Sequence, residues 1–141
     1  MKYTIVKLLG VGSYGKVSLA TSETHELVAI KNLNIDKLAF NKFKLQNILD
    51  EIESLKYLAE RCNTIPRYIE YYYNDRGKEI NIVTEYIEGV TLDTYILDKY
   101  HILKTDPKLL WSIIYGIVNG LNCIHSNGFA HRDIKLQNIM I

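Results

Sequence analysis

Cysteine is scarce in this 141-residue sequence: the two present, Cys62 and Cys123, lie far apart and outside any Cys-x-x-Cys or Cys/His spacing. This spacing predicts neither a disulfide framework nor a zinc site. Long apolar runs are missing as well. The most apolar stretch, residues 109–118, is interrupted by Ser112 and Gly116 and is too short to span a bilayer. The composition therefore argues against a disulfide-stabilised scaffold and against a helical membrane protein.

A large excess of charge of either sign is also absent, since 17 Lys and Arg residues accompany 16 Asp and Glu residues, for a formal net charge of +1. Nucleic acids and anionic membranes usually select a strongly basic surface, so neither is predicted as a partner. Residues 1–7 lack the apolar segment of a signal peptide. We therefore expect an intracellular, cytoplasmic protein.

The patterns that are present indicate a sheet in the first 85 residues. Strands are predicted where apolar and polar residues alternate, or where a short apolar run is bounded by turn-forming residues. These segments are 3–9, 16–21, 27–30, 68–73 and 80–85. The last two are joined by the turn-rich residues 74–77.

Helical spacing of apolar residues appears in two places. The first predicted helix covers residues 40–59. A second long helix begins at Thr105 or Asp106, with Pro107 suited to its first turn, and ends near residues 127–128. A sheet with one helix, followed by helices, is an α+β arrangement.

Residues 10–17 read Gly-Val-Gly-Ser-Tyr-Gly-Lys-Val and fit the pattern GxGxxGxV. Glycines let a backbone approach a polyphosphate closely, because a Cβ atom at those positions would collide with it. Dinucleotide-binding folds use GxGxxG as well, but there the pattern opens a helix, whereas residues 16–21 alternate like a strand. For this element alone, a glycine-rich hairpin without a ligand is the alternative.

Lys31 directly follows the apolar residues 28–30 at the end of a predicted strand. A strand end that meets solvent would explain a lysine here, whereas a phosphate-binding lysine would need an acidic partner to fix its rotamer. Glu51, on the first predicted helix, is the favoured partner, and Glu53 is the second choice. A solvated acidic helix face is the alternative to both.

Two further segments complete an ordered set. Residues 82–89 read Ile-Val-Thr-Glu-Tyr-Ile-Glu-Gly, and residues 131–138 read His-Arg-Asp-Ile-Lys-Leu-Gln-Asn. The first resembles the hinge and the second the catalytic loop of the eukaryotic-type serine/threonine protein kinase family. Residues 10–17 resemble the glycine loop of that family, and Lys31 resembles its strand lysine. A chance turn after a helix would explain the last segment alone, but not four motifs in the family's order.

The resemblance implies a fold as well as an activity. Residues 1–85 would form a protein-kinase-like N-lobe, with a five-stranded antiparallel sheet and one helix. Residues 86–90 would be the hinge, and residues 91–141 an incomplete helical C-lobe. The whole chain, 1–141, would then be one truncated kinase domain.

The resemblance also implies roles for individual residues. Asp133 would be the catalytic base, Lys135 would neutralise the transferring phosphoryl group, and Asn138 would bind Mg²⁺, with His131 as a packing residue. A lysine two residues after the aspartate resembles the catalytic loop of serine/threonine kinases rather than that of tyrosine kinases. The residues implied in ATP binding are Leu9, Gly10, Val11, Gly12, Ser13, Tyr14, Gly15, Lys16, Val17, Ala29, Lys31, Glu51, Thr84, Glu85, Ile87 and Met140.

The sequence ends three residues after Asn138, where the family continues with an Asp-Phe-Gly motif and an activation segment. We therefore expect an incomplete magnesium site, and phosphotransfer by this chain no greater than that of an Asp133→Asn control. The alternative function is a non-catalytic half-kinase that binds a nucleotide or docks on a partner. In that case a second chain would cover the apolar helix 106–126. The protein substrate is not indicated.

Overall fold

The computed structural model describes residues 2–12, 15–35, 42–74 and 78–141. The chain divides into two compact units. The first consists of Met1–Glu60 and Pro66–Tyr86, and the second of Arg61–Ile65 and Ile87–Ile141. Within the described ranges, no helix combines the length and apolarity needed to cross a membrane.

The first unit is built on an antiparallel sheet, as predicted. Its strands within the described residues are β1 (Tyr3–Gly12), β2 (Gly15–Ser22), β3 (Leu27–Asn34), β4 (Tyr68–Tyr73) and β5 (Glu79–Glu85). Their order across the five-stranded sheet is β1-β2-β3-β5-β4. The first three strands are longer than predicted because pairing continues to their ends: Gly12 is opposite Gly15, and Asn34 is opposite Glu79. Residues 75–77 of the predicted turn lie outside the described residues.

One helix of the first unit packs on this sheet. Helix α1 (Lys42–Ala59) matches the predicted helix, whose first two residues, 40 and 41, lie outside the described ranges. Ile48 and Ile52, four residues apart on α1, join Leu33, Ile80 and Ile82 of the sheet in one buried cluster. The apolar stripe of the helix therefore fixes its packing against β3 and β5.

A second buried cluster lies on the opposite face of the sheet. It contains Ala20, Val28, Ile30 and Val83, with partly buried side chains packed against it. Ile82 and Val83 are consecutive residues of β5 and so point to opposite faces of the sheet. Both faces of this strand are thus buried, which explains the adjacent apolar side chains at positions 82 and 83.

The second unit contains helices α2 (Leu92–Thr105) and α3 (Pro107–Ser126). Helix α2 was not predicted individually, and two features explain this. Its N-cap residue, Thr91, makes no side-chain capping bond, and Lys99 interrupts the helix with a φ of −110° and a ψ of 17°. The burial of Leu92 and Leu103, rather than a local sequence signal, accompanies the formation of this helix.

Helix α3 follows its sequence signals closely. The Asp106 side chain accepts a hydrogen bond from the backbone N–H of Leu109 at 3.1 Å, and Pro107 stands in the first turn. Of the two predicted caps, Asp106 is therefore the one used. The helix ends at Ser126, and Gly128 follows with a φ of 82°, in the left-handed region that glycine enters without strain.

The cysteine prediction was wrong. Cys62 and Cys123 form a disulfide within the second unit, with their Cα atoms 5.9 Å apart. The two cysteines are separated by 61 positions in the sequence. No local spacing rule detects such a pair, because packing of the segment Arg61–Ile65 against α3 brings them together.

Candidate active site

A cavity of about 270 Å³ opens in the first unit beside the sheet. Its lining comes from β2, β3, α1 and β5, together with the proline that precedes β4. Most of the lining side chains are apolar, and a lysine and a glutamate supply the charge. The lining residues are Val17, Ala29, Lys31, Glu51, Ile52, Leu55, Pro66, Ile82 and Thr84. An apolar cleft with a few convergent polar groups is the usual form of a small-molecule site.

The charged pair in this lining is a direct contact. Lys31 Nζ donates to Glu51 Oε1 at 2.8 Å, and the structure thus places Glu51, not Glu53, against the lysine. The side chains are 41% and 60% exposed, so solvent screens the pair and its contribution to stability is at most about 1 kcal/mol. The main effect of the contact is to hold the Lys31 ammonium in a defined position at the cavity.

The glycine segment forms the β1–β2 hairpin, and its glycines differ in what the fold requires of them. A Cβ atom at Gly15 would lie 1.9 Å from the backbone oxygen of Asn32, so the approach of β2 to β3 requires glycine there. At Gly10, by contrast, an added Cβ would meet no described atom within 4 Å, and at Gly12 the nearest described atom is 3.8 Å away. Packing among the described residues therefore requires only the last of the three glycines.

The other glycine-loop residues are placed as follows. Leu9 and Val11 are exposed near the end of β1, and Lys16 is exposed opposite Val11 on β2. Ser13 and Tyr14 lie outside the described residues. Leu9, Val11 and Lys16 are thus exposed to solvent, whereas Val17 lines the cavity.

At the end of β5, Thr84 lines the cavity and is opposite Ala29 of β3. The next residue, Glu85, is held by its backbone and its side chain. Its N–H donates to the Arg67 carbonyl at 2.9 Å, and its Oε1 accepts from the Arg67 N–H at 2.7 Å. Ile87 is the first residue of the second segment of the other unit, Ile87–Ile141.

In the second unit, the predicted catalytic residues form one polar cluster. Lys135 Nζ donates to Asp133 Oδ2 at 2.9 Å. The Asn138 side-chain amide donates to the same carboxylate oxygen and to the Asp133 carbonyl, each at 2.8 Å. A short 3-10 turn, Leu136–Asn138, brings Asn138 back to Asp133. The three residues are near in sequence, and this turn makes them neighbours in space.

The surroundings of Asp133 favour its ionised form. The hydrogen bond from Lys135, followed by that from Asn138, lowers the pKa of the Asp133 carboxyl below its ordinary value. The Asp133 backbone N–H donates to His131 Nδ1 at 3.3 Å, and the preceding residue, Arg132, has a φ of 65°. His131 is exposed within the chain, so its expected role as a packing residue is not seen here. Asp133 can therefore act as a charged hydrogen-bond acceptor for a hydroxyl group.

A backbone ladder anchors the end of this cluster, and no sequence pattern predicted it. Val90 and Ile141 exchange two backbone hydrogen bonds of 3.1 and 2.9 Å, and the Leu92 N–H donates to the Ile139 carbonyl at 2.8 Å. Between these two contacts, Thr91 and Met140 form an isolated antiparallel bridge, and Met140 is 42% exposed. The segment that follows Asn138 is thus paired with the segment that precedes α2.

Gly89 explains how closely these two segments approach. A Cβ atom at this position would lie 2.3 Å from the backbone oxygen of Ile141. No heavier residue fits there without a shift of the backbone. A glycine that stops an apolar strand is usually explained as a turn residue, and the steric requirement at Gly89 becomes visible only when Ile141 is placed beside it.

A metal ion would find few protein ligands here. Within the described residues, no group of three or more His, Cys, Asp or Glu side chains is arranged to hold one. Asn138 donates through its nitrogen to Asp133, which leaves its Oδ1 as the atom suited to a cation. Mg²⁺ is usually bound through one or two carboxylates plus substrate phosphates, so the neutral amide of Asn138 alone supplies only part of such a site.

The comparisons with known proteins agree with this geometry. A family model described as "Protein kinase domain" matches residues 3–141. The chain is 33% identical to NUAK family SNF1-like kinase 2 of Rattus norvegicus and 33% identical to serine/threonine-protein kinase D of a Synechocystis strain. It is 31% identical to maternal embryonic leucine zipper kinase of Xenopus laevis.

These alignments cover the chain but only part of each relative. Each match includes 99% of this chain, whereas the share of the relative's own length is 21% for the rat protein, 27% for the Synechocystis protein and 20% for the Xenopus protein. The chain thus spans about a fifth to a quarter of the length of the curated relatives it matches. The similarity concerns the segment that carries the cavity and the Asp133 cluster.

Proposed function

Because the chain belongs to the protein kinase family, whose members use ATP and generally Mg²⁺ to act on proteins, we propose that it binds ATP and supplies the catalytic loop of a serine/threonine kinase. The reaction is transfer of the γ-phosphate to a Ser or Thr hydroxyl. The similar proteins include a serine/threonine-protein kinase, which supports this activity. We assign residues 1–85 to the N-lobe, 86–90 to the hinge and 91–141 to part of the C-lobe.

One observation carries the nucleotide proposal: the 2.8 Å contact between Lys31 and Glu51 at the edge of the cavity. An exposed ion pair adds little stability, so its position beside a mostly apolar cleft is better explained by a ligand. Val17 and Ala29 offer an apolar surface for the adenine ring. The Lys31 ammonium offers a positive charge for the phosphates.

The glycines give independent support. Packing among the described residues does not require glycine at Gly10 or Gly12, although a Cβ atom there would occupy space beside the hairpin. We propose that this space receives phosphate oxygens, with backbone N–H groups as donors. Leu9, Val11, Ser13, Tyr14 and Lys16 would complete this part of the site.

The proposed roles in the second unit follow from its hydrogen bonds. Asp133 accepts the hydrogen bond of the substrate hydroxyl and takes its proton as the oxygen attacks phosphorus. Lys135 already donates to Asp133 and provides positive charge for the phosphoryl group. The Asn138 Oδ1 would be one ligand of Mg²⁺, which would neutralise the charge on the phosphates. The family resemblance alone assigns adenine contacts to Glu85 of the first unit and to Ile87 and Met140.

A binding experiment tests the nucleotide site. In the Ala29→Leu variant the added side chain should fill the cavity and lower the affinity for a fluorescent ATP analogue about tenfold or more, because the adenine would lose its space. The matched control is Ala130→Leu, at an exposed position of the second unit. Circular dichroism checks that both variants are folded. Equal affinity in wild type and Ala29→Leu would contradict the proposed adenine site.

A phosphotransfer assay tests the activity. For the chain of residues 1–141, the transfer of phosphate to a generic protein substrate should not exceed that of the Asp133→Asn control. In a longer kinase chain that contains these residues and transfers phosphate, Asp133→Asn should lower the rate by about 10²-fold or more, since a positioned base typically contributes that much, and phosphoamino-acid analysis should yield phosphoserine or phosphothreonine. In that longer chain, a rate unchanged by Asp133→Asn would rule out the proposed base, and phosphotyrosine as the main product would rule out the proposed acceptor.

A second candidate function rests on the surface of α3. Trp111, Tyr115 and Val118 are 67%, 71% and 57% exposed and share one face of the helix with Ile114. Exposed apolar patches of this kind mark binding surfaces in many proteins. A half-kinase without activity that docks through this face is the alternative proposal. A monodisperse monomer whose solubility is unchanged by Tyr115→Lys would argue against it.

A further inference from the structure

The disulfide between Cys62 and Cys123 joins two parts of the second unit that differ in their access to solvent. Cys62 is 1% exposed, so its sulfur is sealed from solvent. Cys123 is partly exposed on the last turns of α3. As a whole residue, Cys123 is thus more exposed to solvent than Cys62.

The segment that carries Cys62 lies outside the strands of the sheet. Arg61–Ile65 lies between α1 and β4 and belongs to neither. The backbone hydrogen bond from Ile65 N–H to the Cys62 carbonyl, 3.0 Å long, lies within the segment. Local opening of such a segment requires less free energy than unfolding of a core strand.

A noncovalent contact supplements the disulfide. A Cβ atom at Gly120 would lie 3.1 Å from Thr64 Oγ1, which shows how closely the segment approaches α3 one turn before Cys123. Reduction would leave contacts of this kind in place and remove the covalent link. Oxidation, in contrast, fixes the segment Arg61–Ile65 to α3 within the second unit.

We propose that Cys62–Cys123 is a reversible thiol–disulfide modification site that small thiols such as glutathione open by attack at Cys123. The glutathione thiolate forms a bond to Cys123 Sγ as the S–S bond breaks, and Cys62 leaves as a thiolate that takes a proton from water. A second glutathione thiolate attacks the sulfur of the bound glutathione and releases oxidised glutathione and the Cys123 thiolate, which is then protonated. Two glutathiones are oxidised, and one disulfide is reduced to two thiols.

The difference in burial predicts where the mixed disulfide forms. Cys62 is buried, so attack there would require opening of the segment first, whereas Cys123 is partly exposed in the folded state. The adduct should therefore appear on Cys123. Because the chain contains two cysteines, no other disulfide can form within it, and the mixed species is resolved by Cys62 or by a second glutathione.

The test uses the folded chain in buffers of fixed ratios of reduced to oxidised glutathione, followed by alkylation and mass spectrometry. Trypsin cuts after Arg61, Arg67, Lys108 and Arg132, so the two cysteines fall in different peptides once the disulfide is open. We expect both cysteines to become alkylated in one transition as the ratio rises, with glutathione found transiently on Cys123. Alkylation of both thiols in fully oxidising buffer, or a disulfide that survives excess glutathione in the folded state, would overturn the proposal.

Two variants isolate the site of attack. In Cys62→Ser, oxidised glutathione should modify Cys123 at a rate about tenfold or more above that for Cys62 in Cys123→Ser, because accessibility controls thiol exchange. Denaturant should abolish this difference. A faster reaction at Cys62 in the folded protein contradicts the assignment.

Hydrogen exchange distinguishes local opening of the segment on reduction from unfolding of the whole protein. On reduction, the amides of residues 62–65 should exchange faster, whereas those of Ile80 and Val83, buried in the first unit, should not change. If the core amides become equally fast, reduction unfolds the protein and the disulfide is only structural. None of these measurements depends on nucleotide binding, so their outcome is independent of the proposed kinase activity.

Discussion

The Nζ atom of Lys31 lies 2.8 Å from Oε1 of Glu51 and joins β3 to α1 at the edge of the cavity. Both side chains are substantially exposed, and the contact is part of a surface that a ligand could cover. Removal of either charge should therefore affect ligand affinity more than stability.

Lys31→Met should weaken binding of ATP about tenfold or more, because a hydrogen bond to a charged group contributes about 1.5–3 kcal/mol. Glu51→Gln should weaken it by a smaller factor, since it releases the lysine without removing it. Both should change the free energy of unfolding by less than about 1 kcal/mol. Isothermal titration and urea unfolding measure the two quantities.

The matched control for this pair is Glu53→Gln, which changes an acidic residue of the same helix. ATP affinity in Glu53→Gln should equal that of the wild type. If Glu53→Gln and Glu51→Gln weaken binding to the same extent, the effect comes from the net charge of α1 and not from the contact with Lys31.

Lys135→Met should raise the pKa of Asp133 towards its ordinary value of 3.8. The ammonium stabilises the carboxylate, so its removal makes the ionised form less favourable. The Asn138 hydrogen bonds remain, and the pKa should stay somewhat below that value. Carbon-detected NMR of the aspartate carboxyls between pH 2 and 6 follows the titration. Lys104→Met, at the end of α2, is the control, and an equal rise in that variant would exclude the contact with Lys135 as the cause.

Gly89→Ala should destabilise the second unit by about 1–3 kcal/mol, because the new Cβ atom would lie 2.3 Å from the Ile141 oxygen and the backbones must separate. Exchange of the Val90 amide, which is bonded to that oxygen, should accelerate. Gly116→Ala is the control. An added Cβ at this exposed site of α3 would meet no described atom within 4 Å, and the variant should gain about 0.5–1 kcal/mol in stability from helix propensity. Two variants of equal stability would contradict the close approach.

Glu70→Gln should remove an acid-sensitive part of the stability of the first unit. Glu70 accepts hydrogen bonds from Lys2 and from the Tyr3 hydroxyl, and these lower the pKa of its carboxyl below 4.5. A carboxyl whose folded pKa is lowered contributes stability above its unfolded pKa and loses it as pH falls through the folded value. The wild type should therefore exceed Glu70→Gln by about 1–2 kcal/mol at pH 6, and by less as the pH falls below 4.5.

Urea unfolding at pH 3 to 6 gives this comparison. Glu23→Gln, at an exposed position between β2 and β3, is the control and should follow the wild-type curve. A constant difference between wild type and Glu70→Gln at all pH values would show that the hydrogen bonds act independently of ionisation.

Much of the site was predictable because its residues are close in the sequence. The segment from His131 to Asn138 is short enough for a single turn to bring Asp133, Lys135 and Asn138 together. The glycine segment 10–17 and Lys31 are likewise local patterns, since the glycines fit one short motif and Lys31 directly follows the short apolar run that predicted a strand. Helix α3 was predictable since Asp106 and Pro107 mark its start.

Other features depend on residues far apart. Tyr3 lies in β1 and Glu70 in β4, which are the two outer strands in the order of the sheet, yet their side chains are hydrogen-bonded. Twist of the sheet makes such a contact possible, and no pattern within either strand encodes it. Helix α2 was missed for a related reason, because burial of Leu92 and Leu103 outweighs a weak cap and an interruption at Lys99.

The sequence by itself determined the family, the strands and helices marked by regular periodicity, and the residues that carry charge in the candidate site. These features are encoded over a few residues, where backbone geometry and side-chain spacing suffice. The sequence favoured Glu51 over Glu53 as the partner of Lys31, and the folded chain has that contact. The tertiary structure alone decided that Gly89 faces Ile141 and that Cys62 joins Cys123. Each of these depends on the packing of segments distant in the chain, since only packing determines which side chains and backbones lie within contact distance.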